Sequence, residues 1–399
     1  MENFEFYNPV KLVFGPGEVQ RVGSEGAQLG KKALLVSYDD HDFMKPLLDN
    51  ITEQLLAEGV EVVPFFKVVA NPLISTVREG TQVCRSEGVD FIIAVGGGSV
   101  IDSVKFIAAA VDYKGDPWGM VMSRHDEIVM VPPETALPTL MVSTIPATGS
   151  EMNCGAVVTN RETKEKSYLF APCIYPKVAI LDPQLTCSLP PYQTACGIAD
   201  AISHVMEVYI NGADGAPLQQ RIMEGIVVTL MDYAPKVLAD PNDLDARAEV
   251  QWAACVAWNG WTLPGTAFSS PMHMIAHSLS ARYNLTHGAT LAIIMPAFMK
   301  YTYKSFPGPY MLMGKRMLGL SLDGMSDEEA ALAAITSFED FLKSLGVETR
   351  LAECDVPESA LDELVDDVVR VYFSADATLA AREPLSKEDV RAIYQLALK

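Results

Sequence analysis

Histidine is scarce in this 399-residue chain, and its placement is uneven. The six are His41, His125, His204, His273, His277 and His287, and four of them fall between positions 204 and 287. Asp200 stands four residues before His204, in Asp200-Ala201-Ile202-Ser203-His204, and His273 stands four before His277. That step is one helical turn, so each pair shares a face of a predicted helix. His287 follows at a predicted turn, in Thr286-His287-Gly288. A lone histidine on an apolar helix is usually a satisfied core residue, but two such pairs with a fifth member favour a site. One carboxylate with three imidazoles suits Zn²⁺ or Fe²⁺ and leaves positions open for a substrate. Spacing alone does not separate His273 from His277 as a ligand. Met274 stands where the helical zinc proteases carry glutamate, which argues against that hydrolytic chemistry.

Two loops in the first half are suited to a dinucleotide. Phe91-Ile92-Ile93-Ala94-Val95 runs into Gly96-Gly97-Gly98-Ser99, then into a predicted helix carrying Asp102 and Lys105. Glycines let backbone approach a pyrophosphate, and the helix that follows points free N–H groups at it. This is not the G-x-G-x-x-G fingerprint. The second loop, Ser143-Thr144-Ile145-Pro146-Ala147-Thr148-Gly149-Ser150-Glu151, offers the hydroxyls of Thr144, Thr148 and Ser150 after another apolar run. A turn with a helix cap explains it equally well. The first predicted strand ends Tyr38-Asp39-Asp40. An acid there accepts bonds from a ribose and repels a 2′-phosphate, which points to NAD(H) over NADP(H). A solvated loop acid is the equal alternative.

The elements that must position these residues divide the chain in two. Apolar runs at 32–38, 60–66, 91–95 and 140–143 alternate with helical patterns at 43–58, 74–86 and 100–110. That alternation predicts a mainly parallel sheet covered on both faces. Segment 155–169 reads as a hairpin around the polar stretch 160–166. From about 189 the strand signals fade. Helical patterns follow at 191–211, 218–237, 246–259, 271–282, 289–300 and 327–345. We therefore expect an α/β nucleotide-binding domain over 1–188 and an all-helical metal-binding domain over 189–399, with the site in the cleft between them.

Composition sets the outer limits. Apolar residues make up 49% and charged residues 20%, as in an ordinary globular protein. A net charge of −21 without any basic run counts against nucleic acid or an anionic membrane as partner. No stretch is long enough to span a bilayer, and the start lacks a signal-peptide pattern. The seven cysteines include no C-x-x-C pair and read as reduced thiols, so a cytoplasmic location is expected. A homodimer is the base-rate expectation.

These motifs together resemble the iron-containing, or group III, alcohol dehydrogenases. The nearest branch is the butanol dehydrogenase and broad aldehyde reductase type. The resemblance runs from Asn3 to about Ala297, on Phe14-Gly15-Pro16-Gly17, Gly96-Gly97-Gly98-Ser99 with Asp102, Thr148-Gly149-Ser150-Glu151, Asp200-x-x-x-His204, and His273-x-x-x-His277 followed by His287-Gly288. It implies a dehydroquinate synthase-like fold, with Asp200, His204, His273 and His287 holding Fe²⁺ or Zn²⁺. It also implies that His277 sits beside the metal and relays a proton, and that Lys166 lies near the cofactor phosphates. The implied reaction passes a hydride between a small to medium primary alcohol or aldehyde, of the butanol and butyraldehyde type, and NAD(P). NADP-using aldehyde reductases of this branch carry glycine and serine where this chain has Asp39-Asp40-His41, which strengthens the expectation of NAD(H). The segment from Trp258 to Phe268 could wall an apolar substrate pocket or simply pack the core. The main rival is a metal-dependent, NAD-using lyase or cyclase of the dehydroquinate synthase type, whose phosphorylated substrate would need more basic residues than these segments offer. A cofactor-free hydrolase leaves both N-terminal loops unexplained. A non-enzymatic scaffold or carrier is the third alternative, which a negative activity screen with metal and NADH across many aldehydes would support.

Overall fold

The computed structural model describes residues 1–40, 42–121 and 131–399, so His41 and His125 lie outside the described residues. Six parallel strands form one sheet: β1 (Lys11–Phe14), β2 (Lys32–Tyr38), β3 (Glu61–Val68), β4 (Phe91–Gly96), β5 (Thr139–Ser143) and, in the same sheet but later in the chain, β8 (Val178–Leu181). Their order across the sheet is β1-β8-β5-β4-β2-β3. Between them in sequence, β6 (Gly155–Asn160) and β7 (Glu165–Phe170) form the expected antiparallel hairpin.

The central strands read as unbroken apolar runs because both of their faces are buried. Leu34, Val36, Ile92 and Ala94 face one core, with α3 (Ile74–Glu87) and α4 (Gly98–Ala110). Ala33, Leu35, Phe91, Ile93 and Val95 face the other, with α1 (Val22–Gly26) and α2 (Lys45–Ala57). Strands β1 and β8 escaped the sequence reading because each has only four residues. From β2 the chain goes to β3 on one side, then crosses to β4 on the other. The carboxyl ends of β2 and β4 therefore flank a topological switch point, the usual crevice for a ligand in such sheets.

Beyond β8 the described residues form α-helices with one isolated antiparallel bridge between Leu379 and Leu385: α5 (Pro191–Asn211), α6 (Pro217–Ala239), α7 (Leu244–Ala257), α8 (Pro271–Tyr283), α9 (His287–Thr302), α10 (Gly308–Arg316), α11 (Asp327–Ser344), α12 (Leu361–Tyr372) and α13 (Lys387–Ala397). Residues of all nine share one hydrophobic core. The predicted helices agree with α5–α9 and α11 to within a turn. Helices α10, α12 and α13 were not read, although α12 carries Leu361, Leu364, Val365, Val368 and Val371 on one buried stripe. His287, expected at a turn, is instead the first residue of α9.

The hairpin links the halves. Strand β6 packs on α4, and β7 packs on α8 and α12. Arg370 of α12 adds an ion pair to Glu165 of β7 at 3.0 Å. A cavity of about 410 Å³ opens between sheet, hairpin and helices. No helix among the described residues is long and apolar enough to cross a membrane.

Candidate metal centre and cofactor cleft

Helix α5 presents Asp200 and His204 one turn apart, and α8 brings His273 against them. Donor atoms of these three residues lie within 4.8 Å of one another. The start of α9 brings in His287, whose Nε2 is 3.8 Å from Asp200 Oδ1. That approach depends on Gly288. A Cβ there would lie 2.0 Å from the carbonyl oxygen of Cys196 on α5, so only glycine lets α9 come this close.

Each of the four residues has a buried polar atom without a hydrogen-bond partner: Asp200 Oδ1, His204 Nδ1, His273 Nε2 and His287 Nδ1. Each such atom costs about 1–3 kcal/mol, and an ion in the cluster would satisfy Asp200 Oδ1 and His273 Nε2, whereas His287 meets Asp200 through its other nitrogen, Nε2. Burial pushes the Asp200 carboxyl up to about 7 and holds the His273 imidazole down to about 3. It also holds His204 and His287 well below the usual histidine range. Neutral imidazoles around a carboxylate are what a divalent cation requires, and a cation would return the aspartate to its ionised form. The donor set fits a metal ion.

His277, one turn along α8, packs against His287 with ring centroids 5.4 Å apart. Its Nδ1 is 2.6 Å from Tyr372 Oη, and that hydroxyl donates to the carbonyl of Lys166 at 2.5 Å. The Tyr372 proton is thus committed, so His277 carries its own proton on Nδ1 and leaves Nε2 as an acceptor. His273 and His277, inseparable by spacing, differ in the partner of Nδ1: the carboxyl of Glu207 for one, the hydroxyl of Tyr372 for the other.

Six of the predicted cofactor residues share the cavity with the histidines. Gly98, Ser99, Asp102, Thr148, Ser150 and Lys166 line the same cavity as His204, His273, His277 and His287. Asp39, Gly96, Gly97 and Thr144 do not line it, but they mark strand ends at the switch point. Thr144 N–H donates to the Gly96 carbonyl at 3.1 Å, tying β5 to β4. Gly97 N–H donates to Tyr38 Oη at 3.0 Å, so it is not offered to a phosphate. The free donors at the mouth of α4 begin with Gly98 and Ser99. Gly98 also packs against the second loop, where a Cβ would lie 2.5 Å from Thr148 Cγ2.

Asp102 and Ser150 are engaged with the protein. Asp102 Oδ1 accepts from Ser150 Oγ at 2.6 Å, and its Oδ2 accepts from Val157 N–H at 3.0 Å. Behind them Lys105 is fully buried. Its Nζ donates to Ser150 Oγ, Asn153 Oδ1 and the Gly155 carbonyl at 2.9, 3.0 and 2.7 Å. Three acceptors match the three ammonium protons, so the lysine holds helix, loop and hairpin together. Lys166 sits on β7, bonded to Asn71 Oδ1 at 3.2 Å, and its charge acts on Asp200 and on three of the histidines. It lies closer to the metal cluster than a purely phosphate-binding lysine would need to be.

Several contributors were missed from the sequence. Asn71 reaches 213 residues along the chain to Asn284, and no local signal marks it. Glu207 and Tyr372 were findable, one at the i+3 position from His204 and one at the end of the α12 stripe. Of the aromatic segment, Trp258 stacks on His204 at 5.3 Å and Phe268 packs on Trp258, and both line the cavity. Trp261 does not line it and packs on Trp252.

Comparison with known proteins gives a consistent picture. The profile for iron-containing alcohol dehydrogenase matches residues 9–183, and that for the C-terminal part of the Fe-containing alcohol dehydrogenase family matches 194–398. A probable NADH-dependent butanol dehydrogenase of Bacillus subtilis is 38% identical over the whole of both chains. The NADPH-dependent aldehyde reductase YqhD of Escherichia coli is 34% identical over 92% of each. Among solved structures, an NADH-dependent butanol dehydrogenase A from Thermotoga maritima superposes with a TM-score of 0.94 at 38% identity, covering 100% of this chain and 99% of that one.

Proposed function

The chain belongs to the iron-containing alcohol dehydrogenase family and is a metal-dependent, NAD(P)-linked alcohol dehydrogenase or aldehyde reductase; from that premise we propose that it interconverts small to medium primary alcohols and aldehydes, of the butanol and butyraldehyde type, with NAD(H) preferred. The observation that carries this reading is one cavity lined both by the opening of α4 and by the imidazoles of His204, His273 and His287, with Asp200 clustered against the first two. Asp200, His204, His273 and His287 hold Fe²⁺ or Zn²⁺. Gly98 and Ser99 meet the cofactor phosphates, while Thr148, Ser150, Asp102 and Lys166 shape its berth. Asp39, with Gly96, Gly97 and Thr144 behind it, sets the adenosine end.

When bound, the metal supplies a Lewis acid at the substrate oxygen and the nicotinamide supplies the hydride chemistry. His277 holds the transferred proton at Nε2 and keeps its Nδ1 proton on Tyr372. Trp258, Phe268 and Met274 exclude water and favour an apolar substrate tail. Among the described lining residues Lys166 is the one lysine and no arginine appears, which disfavours the phosphorylated substrate of a dehydroquinate synthase type. The domain division at 188/189 is supported by the break between the two matched profiles. A homodimer is supported by the open edge of β1 with exposed Phe4, Phe6, Tyr7 and Phe14 beside it. A cytoplasmic location is supported by the seven free thiols.

The test of cofactor choice is oxidation of NADH against NADPH with butyraldehyde. Faster turnover with NADH supports the role given to Asp39. A preference for NADPH would overturn it.

A further inference from the structure

Glu207 has no role in the mechanism above, yet it lines the cavity and lies on the same face of α5 as Asp200 and His204. Its side chain is 1% exposed. Four nitrogens converge on its carboxyl group. Oε1 accepts from Met272 N–H at 3.1 Å and Asn211 Nδ2 at 3.3 Å. Oε2 accepts from His273 N–H at 3.0 Å and lies 2.8 Å from His273 Nδ1. Among the described residues its only ion-pair partner is that imidazole. Burial pushes this carboxyl up to about 8, but three N–H groups already donate to it, and with the carboxylate as acceptor the 2.8 Å contact places the proton on His273 Nδ1.

We propose that Glu207 is the positioning residue for His273: it fixes the Nδ1–H tautomer, aims the bare Nε2 into the cluster, and anchors the first turn of α8 by its backbone N–H groups. This rests on the reading that the cluster holds a metal. The orphaned Nε2 of His273 is the consequence on the other side of the ring. A carboxylate behind a ligating imidazole orients the ring and raises its basicity. The same carboxylate substitutes for a side-chain cap, since Ser270 before α8 makes no capping bond. One residue of α5 thus sets both where α8 begins and which nitrogen it presents.

The test is competition of Zn²⁺ against a chelator in full-length wild type and E207Q, with melting temperatures of both. About 10–100-fold weaker Zn²⁺ binding in folded E207Q is expected. Unchanged Zn²⁺ affinity with only a lower melting temperature would reduce Glu207 to a helix anchor and overturn the proposal. If E207Q does not fold, ¹⁵N spectra of histidine-labelled, Zn²⁺-loaded wild type decide the matter. An Nδ1–H, Nε2-bound His273 supports the proposal, and an Nε2–H ring overturns it. A wild type that binds no stoichiometric Zn²⁺ removes the metal reading first and the proposal with it, which the wild-type arm alone reveals.

Discussion

Two histidines one turn apart on α8 carry different duties, and substitution separates them. His273→Ala removes a donor from a cluster that already has unpartnered atoms, so metal analysis should find most of the metal gone and turnover almost abolished. His277→Ala leaves the four donors intact. It should keep its metal and slow turnover by about 100-fold, the low end of what a positioned acid or base contributes. Loss of metal from His277→Ala would reassign the ligand. At the end of β2, on the proposed preference for NAD(H), Asp39→Gly removes the charge that would repel a 2′-phosphate. The ratio of kcat/KM for NADPH over NADH should rise about tenfold, equivalent to about 1.4 kcal/mol. At this scale the sequence showed the aspartate and the histidines, because rare residue types at helical spacing stand out. Spacing hid the split between His273 and His277, which only the family resemblance supplied, because in the fold it depends on Glu207 and Tyr372, which come from other helices.

Elements bring these residues together by close approach. Gly288 lets α9 touch α5, and Gly98 lets α4 touch the second loop. Gly288→Ala should cost about 1–3 kcal/mol, as overpacking does, and should weaken metal binding because His287 precedes it. Thermal unfolding and metal titration would read both, and an unchanged melting temperature would show that α9 has room to move. Lys105 joins three elements through one ammonium group. Lys105→Met leaves Ser150, Asn153 and Gly155 without their donor and Asp102 without its neighbouring charge. The expected loss is about 3–5 kcal/mol, the range for breaking a buried charged contact, measured by denaturant unfolding. The strands of the sheet centre were legible because burial on both faces makes them continuously apolar. Strands β1 and β8 were not, because four residues carry too little pattern. The stripe of α12 was present in the sequence and simply unread.

Across the whole molecule, the net charge of −21 leaves cation-poor surroundings in which the two buried lysines matter more. Burial pulls both Lys105 and Lys166 from an ordinary 10.5 down to about 8. Between those values the unfolded chain holds protons that the folded chain has released, so these residues make folding more favourable as pH rises through that window. Below about 8 both states are protonated and the contribution is lost. Lys105→Met should lose about half of this rise when unfolding is followed from pH 8 to 10, and an unchanged slope would show that Lys105 keeps its proton. The two-part architecture was readable from where strands stop and helices continue. The bridge between the parts was not, since contacts such as Asn71 to Asn284 leave no local trace.

The most direct test of the account is metal analysis of protein purified without oxygen, followed by NADH-linked reduction of butyraldehyde before and after chelation. We expect about one Fe or Zn per chain, turnover that vanishes with the metal, and recovery on adding it back. Full turnover in metal-free protein, or a wild type with neither metal nor turnover, would contradict the assignment of Asp200, His204, His273 and His287.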